Sequence, residues 1–228
     1  MKKLRPHLEI LPPAQRQLWH ELNQVPAEFT LYGGTAIALH LGHRQSVDFD
    51  FFGSRPFDPA KLQASIPFLA KARVLQHEKN TLTVALNQES QVVVSFFGVP
   101  NLPRLISPLL SDDNGLKVAS LLDLAGTEAS VVQVRPERKD YLDLDVLMTK
   151  GGITLPMALT AAQALYGASF NPQITLKALS YFEDGNLQKL PEDAKARLAA
   201  AARDVDLDQL PRLDHLIRES AEEHDFDP

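Results

Sequence analysis

Residues 29–52, FTLYGGTAIALHLGHRQSVDFDFF, constrain this chain more than any other stretch, because unusual backbone, positive charge and paired carboxylates converge there. Phe29 to Tyr32 predicts a short apolar strand, Gly33 and Gly34 a tight turn, and Thr35 to Leu41 a helix ended by Gly42. A second strand is expected over Val47 to Phe52, where Asp48 and Asp50 alternate with Val47, Phe49 and Phe51. Residues two apart on a strand share a face. Both carboxylates therefore point one way, and the apolar residues face a core.

Two carboxylates that close repel and raise each other's pKa, so a fold that places them side by side normally has a cation to hold. Mg²⁺ (or Mn²⁺) suits the pair, since it takes hard oxygen ligands and is typically held by one or two carboxylates plus substrate phosphates. A Gly-Gly turn that opens a helix lets the backbone approach a phosphate and aims N–H groups at it. Together these parts describe a site for a metal and a nucleotide. A plainer arrangement uses the same residues: Gly-Gly as an ordinary loop, Asp48 and Asp50 as the solvated face of an edge strand, and His43 and Arg44 as surface side chains.

The rest of the chain is expected to build a scaffold for that stretch. A helix is expected over residues 8–24, with Pro12 and Pro13 in its first turn and Leu18, Trp19 and Leu22 as its stripe. Another runs from Ala60 to Ala70, flawed by Pro67. Arg73 to His77, Thr81 to Leu86 and Gln91 to Phe97 read as an antiparallel meander, and Leu116 to Val118 as a brief strand. Ser120 with Asp123 forms a capping signal for a helix over residues 121–132. From residue 138 onward the pattern is helical, with segments expected from Arg138, over 155–166, 172–182 and 191–202, and from Leu207 to about Glu222. The expected division is an α/β core over residues 1–135 and a helical C-terminal part over 136–228 packed on it.

Hydrophobic residues make up 44% of the 228, enough for a sizeable core, and no cysteine is present, which excludes disulfides and thiolate metal sites. No apolar run approaches a membrane span, and the first residues lack the apolar stretch of a signal peptide, so a cytoplasmic location is the expectation. A net charge of −6 argues against a broad electrostatic grip on duplex DNA. Small phosphorylated substrates remain open, with Arg135, Arg138 and Lys139 as a local basic cluster to guide a triphosphate or an RNA end, and a basic protein partner would be drawn to the acidic remainder.

The order Gly33-Gly34-Thr35, Gly42-His43-Arg44, Ser46, then Asp48-Phe49-Asp50 resembles the signature of the AbiEii/AbiGii-type toxins of the DNA polymerase beta-like nucleotidyltransferase superfamily. Arg138-Lys139-Asp140-Tyr141-Leu142-Asp143-Leu144 resembles a second motif of that family, and the likeness covers most of residues 29–185. The resemblance implies an α+β fold, a nucleotidyltransferase-like mixed sheet with flanking helices and a helical C-terminal half. It implies Asp48 and Asp50 as catalytic metal ligands, Gly33, Gly34, Thr35, Arg44 and Ser46 as nucleotide-binding residues, and Lys139 and Asp140 as further catalytic residues. It also implies Mg-dependent transfer of a nucleotidyl group from an NTP to an RNA or protein hydroxyl, tRNA being one such acceptor, in a toxin with an antitoxin protein as partner.

Two positions depart from the family pattern. Ser95 stands where a strand of the family carries a third acidic ligand, and Thr127 stands near a usual lysine. Glu78 and Glu89 are the candidate replacements for the missing carboxylate. Losing both charges implies a shifted mechanism or a degraded active site. The alternative is therefore a pseudoenzyme that binds nucleotide or a protein partner without efficient catalysis, and a purely structural interaction module ranks last.

Overall fold

In the computed structural model, which describes residues 2–87, 90–215 and 217, the chain divides into two compact units. The first is Met1–Pro103 with Pro108–Ala119, and the second is Arg104–Ser107 with Ser120–Pro228. The division thus falls after Ala119 and not at residue 135, and the helix that begins at Leu121 belongs with the helical part.

The first unit carries, in chain order, β1 (Lys3–Leu4), α1 (Pro13–Trp19), β2 (Phe29–Tyr32), α2 (Gly33–Leu41), β3 (Asp48–Gly53), α3 (Pro59–Ser65), β4 (Arg73–Glu78), β5 (Thr81–Asn87), β6 (Gln91–Gly98), β7 (Leu109–Ser111) and β8 (Lys117–Val118). Its eight strands form one mixed sheet in the order β1-β7-β8-β2-β3-β6-β5-β4. β4, β5 and β6 make the antiparallel meander read from the sequence, whereas β6 returns beside β3 in parallel. Strand alternation puts Phe49, Phe51, Val94, Phe96, Leu82 and Val84 on one face, all fully buried. The Phe51 ring stacks on Phe96 at 5.2 Å, and Phe29 meets Phe96 edge-on at the same separation. Burying each such ring contributes about 1.5–3 kcal/mol. Val47 does not join this core as expected: pairing starts at Asp48, and Val47 is 49% exposed.

Local chemistry trims two expected helices. α1 is shorter than residues 8–24 and is flanked by 3₁₀ turns at Leu8–Ile10 and Leu22–Gln24. Prolines cannot donate into a preceding turn, so the α-helix starts at Pro13. At its other end the Asn114 side-chain amide donates to the Trp19 carbonyl at 2.9 Å, and Trp19 Nε1 donates to Asp113 at 2.7 Å. The helix over 60–70 breaks at Ile66, which Pro67 forces into an extended conformation, and resumes as a 3₁₀ turn over Pro67–Leu69.

The second unit holds α4 (Leu121–Val131), α5 (Arg138–Thr149), α6 (Leu155–Tyr166), α7 (Pro172–Ala178) and α8 (Glu192–Arg203). Ser120 caps α4 as expected, its hydroxyl oxygen accepting from the Asp123 amide at 3.1 Å. The Asp123 carboxylate in turn accepts from the backbone N–H groups of Leu105 and Ile106, which ties residues 104–107 to this unit. α7 ends at Ala178 and not at Phe182, and the helix expected from Leu207 is a 3₁₀ turn over Leu207–Gln209. Farther along that stretch Asp214, His215 and Ile217 are helical, and residues 216 and 218–222 lie outside the described residues. Among the described residues no helix is long and apolar enough to cross a membrane.

Candidate functional site

β2 ends at Tyr32, directly opposite Asp50 on β3, and the chain turns there straight into α2. The expected Gly-Gly turn and the helix start are one feature, because Gly33 is itself the first helical residue. Its φ of +71° is a conformation L side chains rarely adopt, and a Cβ there would lie 3.4 Å from Asp50 Oδ2. Glycine thus brings backbone and carboxylate together. No side chain caps this helix start, whereas side chains cap α3, α4, α6 and α7. The first N–H groups of a helix have no partner inside it, so those of Gly33, Gly34 and Thr35 are available donors at the positive end of its dipole. Gly33 and Gly34 are themselves part-exposed.

Asp48 lies two residues beyond the end of the β2 ladder and pairs with Val93 of β6. In place of a ladder bond on the β2 side, the Thr35 hydroxyl donates to the Asp48 carbonyl, and the Ser46 hydroxyl lies 2.7 Å from that of Thr35. Both hydroxyls are buried. Thr35 and Ser46, expected to touch nucleotide, use their side chains to hold β3 against the start of α2. Arg44 follows the left-handed Gly42, which ends α2 as expected, and its guanidinium donates to the Gln45 carbonyl at 3.0 Å. Asp48 and Asp50 are half-buried and share the face opposite Phe49 and Phe51.

Ser95 stands beside Asp50 in the parallel ladder, so its hydroxyl shares the carboxylate face, and it is buried. Glu78 cannot replace a third carboxylate there. It sits on β4, three strands from β3, and at strand spacings near 4.8 Å that is about 14 Å away. Glu89 lies outside the described residues. No group of three or more His, Cys, Asp or Glu that could hold a metal occurs among the described residues. The donor set is two carboxylates, two residues apart, next to a helix start with open N–H groups. That fits a hard cation whose remaining ligands come from phosphate and water. Thr127 donates to the Asp123 carbonyl of its own helix at 2.9 Å.

Lys139 and Asp140 belong to the helical unit. Asp140 is buried, and its two oxygens accept from Arg135 at 2.7 and 2.8 Å. Burial pushes the Asp140 carboxyl above its ordinary value, against the pull of Arg135 and Lys139. Lys139 pairs with Glu137 at 3.2 Å. Two of the three charges in the expected basic cluster are therefore already met, and Arg138 is exposed. Farther along α5, Asp145 is held by both Nε and Nη2 of Arg197, at 2.8 and 2.7 Å.

The family described as "Nucleotidyl transferase AbiEii toxin, Type IV TA system" matches residues 17–220. An uncharacterised protein of Aquifex aeolicus (strain VF5) is 35% identical over 159 residues, which is 69% of this chain and 75% of the relative. Among solved structures, MenT4, a nucleotidyltransferase toxin from Mycobacterium tuberculosis H37Rv, superposes with a TM-score of 0.56 at 14% identity, covering 92% of this chain and 90% of that one. A candidate nucleotidyltransferase from H. pylori gives 0.53 at 14% identity, covering 92% and 94%. At that identity the two structures speak for the shared fold alone.

Proposed function

Since this chain belongs to the AbiEii family of nucleotidyl transferase toxins, we propose that it transfers a nucleotidyl group from an NTP to a hydroxyl of an RNA, such as a tRNA, or of a protein, and that an antitoxin protein restrains it. The observation that carries this reading is the uncapped start of α2 facing the Asp48 and Asp50 pair, with Gly33 open to close approach beside Asp50. In this reading the N–H groups of Gly33, Gly34 and Thr35 bind triphosphate oxygens, and Arg44 steadies the same group. The hydroxyls of Thr35 and Ser46 hold the strand.

Asp48 and Asp50 would hold Mg²⁺ or Mn²⁺, without which they and the triphosphate would repel each other. Such a cation would supply charge neutralisation and polarise the reacting phosphoryl group. The acceptor oxygen bonds to the α-phosphorus as the bond from that phosphorus to the α,β-bridging oxygen breaks, and pyrophosphate departs. The acceptor's proton passes to water, because Ser95 is a neutral hydroxyl beside Asp50 and offers no carboxylate to take it. Turnover is then slow. That placement of Ser95 also favours a second reading, a protein that binds NTP at this site and acts through a partner with little transfer of its own.

Incubation with labelled NTPs, Mg²⁺ and either total RNA or total protein, beside an Asp48→Ala blank, tests the first reading. Label incorporated by wild type and absent from the blank supports it. Metal-dependent NTP binding without incorporation leaves the second reading in its place. Equal NTP affinity for wild type and blank, with and without Mg²⁺, removes the site from this stretch.

A further inference from the structure

We infer that Gln15 is a positioning residue for the carboxylate strand: through its side-chain amide, α1 sets the direction of Asp48 and thereby the affinity of the site for a divalent cation. This rests on the reading that Asp48 and Asp50 hold that cation.

The observation begins with how β3 starts. Its ladder with β6 opens at Asp48 opposite Val93, and its ladder with β2 only at Asp50 opposite Tyr32. The carbonyl of Val47 precedes both. A peptide just ahead of a strand is normally held by the packing of its side chain, but Val47 is 49% exposed. Gln15 Nε2 instead donates to the Val47 carbonyl at 3.0 Å. The next carbonyl, that of Asp48, accepts from the Thr35 hydroxyl. Two consecutive carbonyls around the first carboxylate are thus fixed by side chains from two different helices, where a sheet would ordinarily use backbone.

The Val47 carbonyl lies in the plane of the peptide whose nitrogen belongs to Asp48. Holding that oxygen fixes the plane and with it the direction in which the Asp48 Cα–Cβ bond leaves the backbone. A ligand pair must be held to within about 0.5 Å to bind its metal well. Gln15 is not placed there for stability alone. It is 2% exposed, and its Oε1 is buried without a hydrogen-bond partner among the described residues, an arrangement that costs stability and that an apolar side chain would avoid. It also precedes residue 17, where the match to the family begins.

The test uses the full chain without nucleotide and reads Mn²⁺ binding by the loss of its free-ion EPR signal. The variants are Gln15→Met, which keeps length and removes the donor, Gln15→Glu, which keeps shape and replaces the donor by an acceptor, and Asp48→Asn as the site's own control. Trp19, the single tryptophan, lies one turn along the same helix and reports by its fluorescence whether α1 is seated. We expect Mn²⁺ affinity about 10- to 100-fold weaker in Gln15→Met, as for outer-shell partners of metal ligands, with the Trp19 emission of wild type. Should Gln15→Met fail to fold, Gln15→Glu carries the same expectation. Wild-type Mn²⁺ affinity in a folded Gln15 variant, while Asp48→Asn abolishes binding, overturns the inference and spares the site. Wild type that binds Mn²⁺ no better than Asp48→Asn overturns the site and the inference together.

Discussion

Carboxylates are concentrated in two places, on β3 of the sheet unit and on α5 of the helical unit, and the protein treats them oppositely. On α5, Asp140 is gripped by Arg135 and Asp145 by Arg197, each through two hydrogen bonds. On β3, Asp48 makes no ion pair among the described residues, and beside it and Asp50 lie the start of α2, the Ser95 hydroxyl and Gly33. A charge met by an arginine is finished chemistry: Arg135 fixes the loop before α5 to that helix and Arg197 fixes α8 to it, and removing the partner strands the carboxylate. A half-buried charge that the protein leaves unneutralised is an attachment point for a cation brought from outside. The identical residue type therefore means structure in one unit and candidate chemistry in the other, and the partner decides which.

The largest effect that would break this contrast is at Asp48. Asp48→Asn removes half of the ligand pair and is expected to lower metal-dependent NTP binding at least ~10²-fold, with thermal stability nearly unchanged because no ion pair is lost. Calorimetric titration with and without Mg²⁺ measures it, and a melting temperature that falls instead would place Asp48 with the structural carboxylates. Next comes Ser95→Asp, which puts a third carboxylate beside Asp50. Losing a positioned base costs about 10²- to 10⁴-fold, so restoring one should raise transfer well above wild type while NTP affinity stays within a small factor. Robust wild-type transfer that Ser95→Asp lowers would mean that another group already serves, and would end the pseudoenzyme reading. The folded fraction must be followed beside the rate, since the added charge is placed at a buried position.

On the structural side, Arg135→Met leaves the buried Asp140 unpaired and should destabilise the protein by about 1–3 kcal/mol, less than for a fully buried pair because Arg135 is itself part-exposed. Arg135→Met with Asp140→Asn should recover part of that loss. Denaturant unfolding of the three variants measures the coupling, and a neutral Arg135→Met would deny the contrast its second half.

The smallest effect concerns a third kind of carboxylate. Burial pushes Asp113 upward, but hydrogen bonds from Ser111 and Trp19 outweigh it and hold its pKa below the ordinary value of 3.8. A depressed folded pKa contributes stability above the unfolded value that is lost as pH falls through the folded one. Wild type should therefore lose stability as pH falls below about 4, and Asp113→Asn should not show that step. Trp19 fluorescence during denaturation at several pH values reads both.

How far the site was legible depends on the kind of contact. The alternation of Asp48, Phe49, Asp50 and Phe51 set the face of each side chain, because a strand has period two, and the sheet kept it. Gly33 was legible as unusual backbone, though its merger with the first turn of α2 was not. The placement of Ser95 beside Asp50 followed from family likeness and is matched by the parallel register. The resemblance places Thr35 and Ser46 at the ligand, while the bond of the Thr35 hydroxyl to the Asp48 carbonyl and its nearness to that of Ser46 depend on tertiary distance, which no motif carries. Val47 continued the alternation in sequence, yet the ladder starts one residue later and leaves it exposed. Nothing marked Gln15, since a glutamine on a helix normally faces water.

What the sequence alone determined is what depends on neighbours within a few residues: most of the strands and helices, that Pro13 starts α1 and that Pro67 and Gly42 stop α3 and α2, and which face of β3 carries charge. Composition alone also excluded disulfides and thiolate metal sites. Only the tertiary structure decided which carboxylates are neutralised, for Asp145 meets Arg197 across 52 residues, and which carbonyls are held, for Gln15 reaches Val47 across 32. The physical reason is range. Torsional preferences and periodicity act along the chain, whereas hydrogen bonds and ion pairs act through space at about 3 Å, and only a folded chain brings such groups within reach.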